Sequence, residues 1–150
     1  MIKLIPITVD DKNLLENWLD SDTNEELRSY KDFSAWFKLL NTLNRWGWII
    51  EDNGSKIGFI DLEKNLNNEG YFSFYLSPVE RGKGRSKNIL LYLIQKAEEL
   101  NLSLLKAGVN NNNIPSQKSL ESIGFVQEGV AKDGYLTYLL PIHSSKASNH

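Results

Sequence analysis

The sequence contains no cysteine among its 150 residues, and this absence excludes several classes of chemistry. Disulfide scaffolds, thiol catalysis, thiolate zinc sites and iron–sulfur clusters all need a cysteine sulfur. With 41% hydrophobic residues, the chain is long enough to bury a substantial core without such cross-links. We therefore expect one globular domain in a reducing, cytoplasmic compartment.

Long apolar runs and an excess of positive charge are also missing. No stretch approaches the ~20 apolar residues of a membrane span, and the first nine residues lack the basic start of a secretory signal. The formal net charge is -2, so no broad basic surface neutralises a nucleic-acid backbone. The two histidines, His143 and His150, lie at or beyond the last predicted strand, with no metal-site spacing. The sequence therefore predicts no membrane, nucleic-acid or metal partner.

The apolar pattern changes between strand-like and helix-like periods along the chain. The predicted elements are a strand at 1–7, a helix around 14–19, a helix from 24 to about 43, strands at 46–51, 56–62 and 71–76, a helix around 89–100, a strand at 102–109, a helix at 116–123 and strands at 125–130 and 135–142. This β-α-α-β-β-β-α-β-α-β-β order predicts a single α/β domain with an α+β mixed sheet over residues 1–143. Residues 144–150 are predicted to form a disordered polar tail.

A basic loop that contains two glycines joins the strand ending at Leu76 to the longest predicted helix. Its residues are Arg81, Gly82, Lys83, Gly84, Arg85 and Ser86. The free amides and the dipole of a helix start favour an anion, and glycine lets the backbone approach a phosphate closely. The spacing matches neither the Walker loop nor the dinucleotide fingerprint, whose third glycine is replaced by Lys87. The loop therefore predicts another phosphate ligand or, alternatively, is a plain basic turn.

Residues 76–90 resemble the acyl-CoA motif of the GNAT superfamily of N-acetyltransferases. The family's Arg/Gln-x-x-Gly-x-Gly/Ala pattern is met from Arg81 onwards, with Ser86 in the last small position. Ser86 departs from the usual residue there.

A second stretch is similar to another pattern of the same family, Val-x-x-x-Asn-x-x-Ala/Ser-x-x-x-Tyr-x-x-x-Gly-Phe. The matching residues are Val109 to Asn113, Ser116, Leu120, Gly124 and Phe125. The two motifs occur in the family's order, and the predicted elements agree with its fold as far as about Ile142. The polar run at 110–113 is alternatively a simple turn, since asparagine is a common turn residue.

The resemblance implies acetyl-CoA as the cosubstrate and direct transfer of its acetyl group to an amine. It places the pyrophosphate on the amides of 82–86 and the pantetheine arm along 74–76, in a splayed opening between the fourth and fifth strands. The backbone at Leu76 is the implied donor to the thioester oxygen, which is an oxyanion hole. Asn113 is implied to hydrogen-bond the pantetheine arm. The implied cosubstrate-binding residues are Phe74, Leu76, Arg81, Gly82, Lys83, Gly84, Arg85, Ser86, Asn113 and Ser116.

Attack on a thioester requires an uncharged amine, so a base must remove a proton. The carboxylates near the relevant strand ends are Asp61, Glu63 and Glu69, and we take Glu63 and Glu69 as the predicted catalytic bases. Such acids are alternatively exposed solvating groups.

The thiolate that leaves needs a proton, and the family often supplies it from a tyrosine at the position that Leu120 occupies here. Leucine has no proton to donate. Tyr71, Tyr75, Tyr135 or water are the remaining donors, unless the chain is slow or inactive as an acetyltransferase.

The predicted acceptor is a small-molecule amine. An acidic stretch with Asp20, Asp22, Glu25 and Glu26 attracts a cationic amine or is simply a solvated loop. Three alternatives remain: protein acetylation, a non-catalytic acyl-CoA-binding module, and a general phosphate-ligand domain. We expect a monomer or a homodimer.

Overall fold

The computed structural model describes residues 1–22, 30 and 32–143. The strands are β1 Ile2–Pro6, β2 Arg45–Asp52, β3 Ser55–Lys64, β4 Glu69–Leu76, β5 Leu104–Asn110, β6 Val126–Lys132 and β7 Tyr135–Pro141. The helices are α1 Lys12–Ser21, α2 Phe33–Leu39, α3 Ser86–Glu99 and α4 Ile114–Ser122, with single 3-10 turns at Val9–Asp11 and Pro78–Glu80. The predicted element order and the α/β fold class are confirmed. Within the described ranges, no helix has the length and apolarity needed to cross a bilayer.

The second helix is shorter than the predicted helix from 24 to about 43. Asp32 caps α2, because its side chain accepts a hydrogen bond from the N–H of Ala35 at 3.1 Å. The chain turns just after α2, where Asn41 has a φ of 57°, a conformation that asparagine tolerates better than most residues. Leu43 is therefore 90% exposed instead of continuing the apolar stripe. The predicted helix start at 24–29, with Glu25 and Glu26, and the predicted tail at 144–150 lie outside the described residues.

The strands form one seven-stranded sheet in the order β1-β2-β3-β4-β5-β7-β6. Helix α3 covers one face, where its buried stripe of Ile89, Leu90, Leu93 and Ala97 packs into the larger core. Burial of each large side chain in that stripe contributes about 1.5–3 kcal/mol. The other face carries a smaller core that includes Leu15 of α1 and Trp36 of α2.

The sheet opens between β4 and β5. These two strands are parallel and pair only over Glu69 to Tyr71, opposite Leu104 to Lys106. Beyond that point β4 stays paired with β3 as far as Leu76, whereas β5 stays paired with β7 as far as Asn110. The splayed opening that the resemblance implies between the fourth and fifth strands is therefore present.

Candidate active site

A cavity of about 1130 Å³ occupies the opening between β4 and β5 and continues onto the α1/α2 face of the sheet. Its volume is slightly above the usual range for small-molecule sites, so it has room for a cosubstrate and an acceptor together. The loop at 81–86 and the start of α4 line one end. Asp61, Glu63 and Arg45 line the other end.

The last residues of β4 direct backbone amides into the opening. Ser77 donates its N–H to the carbonyl oxygen of Ile57 in β3, at 2.9 Å. Because successive N–H groups along a strand alternate in direction, those of Phe74 and Leu76 point to the other side, into the opening. The carbonyl of Leu76 also faces that side and accepts a hydrogen bond from Nε of Arg81 at 2.9 Å. Strand β4 thus offers donors where the resemblance places the pantetheine arm and the thioester.

The glycine loop turns its backbone toward the start of α3. Gly82 and Gly84 have φ values of +74° and +73°, a left-handed conformation that glycine adopts without strain. A Cβ on Gly84 would meet nothing within 4 Å, so the space beside it is open. The first amides of α3 have no acceptor within the helix, and they are the natural ligands for an anion.

The three basic side chains of the loop have different partners. Arg81 donates Nη2 to Asp22 at the end of α1. Arg85 is mostly buried and pairs with Glu80 and, at 3.1 Å, with Asp52 of β2. Lys83 is 56% exposed and lies 3.6 Å from Glu80. All three predicted phosphate-binding cations therefore lie within ion-pair distance of a carboxylate, and the hydrogen-bonded Arg81 and Arg85 fix the shape of the loop.

Asn113 and Ser116 line the far wall of the cavity, as does the buried Leu120. Asn113 caps α4, because its Oδ1 accepts a hydrogen bond from the N–H of Ser116 at 3.2 Å. The cap uses the oxygen of the amide and leaves the Nδ2 group as the donor for a ligand.

The two predicted bases lie at different places. Glu63 lines the cavity, with a carboxylate that is 60% exposed and accepts a hydrogen bond from Nη1 of Arg45 at 2.7 Å. Glu69 is the first residue of β4 and is not part of the cavity lining. Its carboxylate accepts from Nδ2 of Asn65 at 2.9 Å, and Nζ of Lys106 lies 4.0 Å away. The structure therefore brings Glu63 into the site and leaves Glu69, the first residue of β4, outside the cavity lining.

Asp61 is the buried acid of the cavity. Its side chain is 9% exposed, and Oδ2 accepts a hydrogen bond from Nε1 of Trp36 at 2.7 Å. Nη2 of Arg45 lies 3.7 Å from the same oxygen, and Ser73 on β4 pairs with Asp61 in the strand register. Burial raises the pKa of Asp61, and the contacts with Trp36 and Arg45 lower it only in part. We call Asp61 and its four neighbours Trp36, Arg45, Ser73 and Tyr30 the buried-acid cluster.

The sequence interpretation missed Tyr30, Arg45 and Ser73. Tyr30 lines the same cavity and packs edge-on against Trp36, with ring centroids 4.9 Å apart. Burial raises the pKa of the Tyr30 phenol, and the negative charge of Asp61 raises it further. The pairing of neighbouring strands is the signal that points to two of these residues. Arg45 lies opposite Glu63, and Ser73 lies opposite Asp61.

The three tyrosines considered as proton donors all line the cavity. The hydroxyl of Tyr75 donates to Oδ2 of Asp22 at 2.9 Å. Burial and that hydrogen bond raise the pKa of Tyr75, so it is a poor acid. Tyr71 and Tyr135 are 48% and 44% exposed and are better placed to meet a ligand.

Asp61→Asn should make the fold more resistant to heat at neutral pH. A raised pKa in the folded state means that Asp61 contributes stability below its unfolded pKa, and that this contribution is lost as pH rises through the folded pKa. The difference in Tm between the variant and the wild type should therefore grow from about pH 4 to pH 7. Thermal unfolding across that range measures it, and a constant difference would contradict the assignment of a buried, costly charge.

Comparisons with known proteins agree with this architecture. The model of the acetyltransferase (GNAT) domain matches residues 2–126. A chimera of the spermidine N-acetyltransferase SpeG from Vibrio cholerae and hSSAT is 21% identical, with a TM-score of 0.80 and coverage of 99% of each chain. The Vibrio cholerae spermidine N-acetyltransferase in complex with CoA and spermine is 18% identical, with a TM-score of 0.76 over 93% of this chain and 95% of that one. These two similarities establish a shared fold.

Two sequence relatives are bacterial acyltransferases. L-methionine sulfoximine/L-methionine sulfone acetyltransferase of Salmonella typhimurium is 26% identical over 96 residues, which is 61% of this chain and 56% of the relative. L-amino acid N-acyltransferase MnaT of Escherichia coli is 27% identical over 97 residues, with the same coverage of 61% and 56%. The matched region thus spans little more than half of each relative. Because the family model covers most of the sequence, the chain belongs to the GNAT acetyltransferase family.

Proposed function

We propose that the chain is an acetyl-CoA-dependent N-acetyltransferase that acts on the primary amine of a small molecule. The observation that carries the proposal is the continuity of one cavity, from the glycine loop, along the amides of Phe74 and Leu76, to the acidic end at Asp61 and Glu63. Such a cavity holds a long phosphorylated thioester and an amine at the same time. The proposal includes a cytoplasmic setting and a monomer or homodimer, as the sequence predicts.

The residues have distinct roles in this proposal. The amides of 82–86 and Lys83 bind the pyrophosphate, while Arg81 and Arg85 hold the loop in shape. Asn113 and Ser116 contact the pantetheine arm on the far wall. The N–H of Leu76 stabilises the negative charge that develops on the thioester oxygen during attack. Glu63 lies at the mouth of the acceptor end, paired with Arg45.

The similar proteins support a small-molecule acceptor. The sequence relatives are named for amino acids and amino-acid analogues, and the structural neighbours for spermidine. Leu120 at the usual tyrosine position favours one competing function, a non-catalytic acyl-CoA-binding module. Tyr71, Tyr135 and water are the proton donors that make turnover feasible despite Leu120.

A thermal-shift titration with acetyl-CoA, CoA and ATP in parallel, followed by thiol-release assays with amino acids, polyamines, amino sugars and a lysine peptide, tests the proposal. We expect acetyl-CoA and CoA to raise Tm and ATP to leave it unchanged, because only the first two fill both the loop and the opening. Thiol release should then occur with one of the small amines. Stabilisation without release on any amine would favour the binding module. Release on the peptide alone would favour protein acetylation.

A further inference from the structure

We propose that Asp61 binds the ammonium group of the acceptor and receives its proton before the acetyl transfer. This inference rests on the proposed N-acetyltransferase function and names a residue for it that differs from both predicted bases. It also defines the acceptor class as small primary amines that are protonated in neutral solution.

Asp61 is a buried acid whose charge is only partly balanced. An ionised carboxylate accepts about four hydrogen bonds, and a carboxylate buried this deeply requires partners for its charge. Within the described residues, the cation beside it is Arg45, whose Nη2 lies 3.7 Å away while its Nη1 is bonded to Glu63 at 2.7 Å. One guanidinium is thus shared between two carboxylates. This end of the cavity therefore has a net negative charge among these three groups, which a single ammonium group neutralises.

The register of the sheet places Asp61 nearer to the acyl site than Glu63. Asp61 pairs with Ser73, the residue before Phe74, whereas Glu63 pairs with Tyr71. Two residues of strand correspond to about 7 Å, so Glu63 lies that much farther from the amide of Leu76. Side chains alternate along a strand, so Asp61, Ser73 and Tyr75 share the face that α1 and α2 cover. An amine held by Asp61 is thus beside the strand that carries the thioester donors.

Trp36 positions the carboxylate. The indole of Trp36 is buried and donates to Oδ2 at 2.7 Å, which holds the carboxylate in place at the cavity wall. Burial raises the pKa of Asp61, and a carboxylate with a raised pKa is a stronger base. The same burial that destabilises the ionised form therefore serves the proton transfer.

The proton balance is complete without a further reactant. The ammonium passes one proton to Asp61, directly or through one water, and becomes a neutral amine. Its nitrogen then forms a bond to the acyl carbon, and the carbon–sulfur bond breaks. The second nitrogen proton leaves as the amide forms and reaches the leaving thiolate by relay through water or through the hydroxyl of Tyr71 or Tyr135, so each relay group ends with the protons it began with. Asp61 returns its proton to solvent before the next turnover.

The test uses Asp61→Asn with an alkylamine that the wild type acetylates, and Glu99→Gln as the control. Glu99 is an exposed acid on α3 outside the cavity lining, so the control makes the same carboxylate-to-amide change elsewhere. At neutral pH we expect kcat/KM of Asp61→Asn to fall on the order of a hundredfold. The loss should shrink as pH rises toward the pKa of the amine, because the free amine then forms without a base. Stabilisation by acetyl-CoA should remain unchanged.

Two further measurements separate chemistry from structure. A weakly basic aromatic amine is neutral at pH 7. The kcat/KM for its acetylation should therefore fall much less in Asp61→Asn than the kcat/KM for the alkylamine does. Trp36→Phe keeps the charge but removes the hydrogen bond that lowers the pKa of Asp61, so the acidic limb of its rate profile should move to higher pH. Trp36→Phe therefore tests the inference independently of the Asp61→Asn variant.

Equal kcat/KM and an identical pH profile for Asp61→Asn and the wild type would overturn the inference and leave the proposed function intact. If kcat/KM falls in Glu63→Gln and not in Asp61→Asn, the inference is also overturned, in favour of the predicted base Glu63. Absence of turnover by the wild type on every amine would remove the proposed function, and the inference with it.

Discussion

Aspartate in place of Gly84 should weaken acetyl-CoA binding at least tenfold, which corresponds to about 1.4 kcal/mol. Gly84 lies two residues before the first residue of α3 with a φ of +73°, and the space beside it is open. A carboxylate there projects into the volume where the amides of the loop meet an anion, and it repels the pyrophosphate. Isothermal titration with acetyl-CoA at low and moderate salt measures the loss.

Gly129→Asp provides the matched control for this prediction. Gly129 has a φ of +68° and an equally open surrounding, and it lies on β6 outside the cavity. The control therefore introduces the same charge and the same backbone strain away from the loop. Acetyl-CoA affinity should be unchanged in Gly129→Asp. If both variants lose affinity equally, or neither does, the loop is not the site of pyrophosphate binding.

The fold could be predicted from sequence where local patterns determine local structure. Helix α3 and the hairpin of β2 and β3 follow from apolar periodicity and from turn chemistry at Asp52 to Ser55, and the structure has both. The second helix was predicted too long because Leu40 and Leu43 continue a helical stripe. Left-handed Asn41 ends that stripe, and a period count does not detect such a residue.

The site was predictable only where a motif is contiguous. The glycine loop is contiguous and is visible in the sequence, but two of the acids that pair with Arg81 and Arg85, namely Asp22 and Asp52, lie 59 and 33 positions away. The same limit applies to the acceptor end. Glu69 and Glu63 looked equivalent in sequence, yet Asn65 and Lys106 hold Glu69 outside the cavity. Only the strand register shows that Asp61 faces Ser73 beneath Trp36.

Gly58→Ala should damage both the stability of the fold and the binding of acetyl-CoA. A Cβ on Gly58 would lie 2.0 Å from the carbonyl oxygen of Tyr75, and that backbone oxygen cannot rotate away as a side chain does. Relief requires β4 to move away from β3 at the point where Phe74 and Leu76 present their amides. We expect unfolding to become easier by about 2 kcal/mol or more, with a fall in Tm of roughly 5 °C.

The stability effect of Gly58→Ala is judged against Gly108→Ala on β5, where an added Cβ would meet nothing within 4 Å. That control should unfold at nearly the wild-type temperature, because it adds a methyl group without a clash. The informative comparison is between stability and affinity within Gly58→Ala itself. A displaced β4 lowers Tm and acetyl-CoA affinity together, since one strand provides both the sheet contact and the amide donors. A stable variant with full affinity would show that β3 and β4 tolerate separation at Gly58, and that the positions of the Phe74 and Leu76 amides do not depend on this close contact.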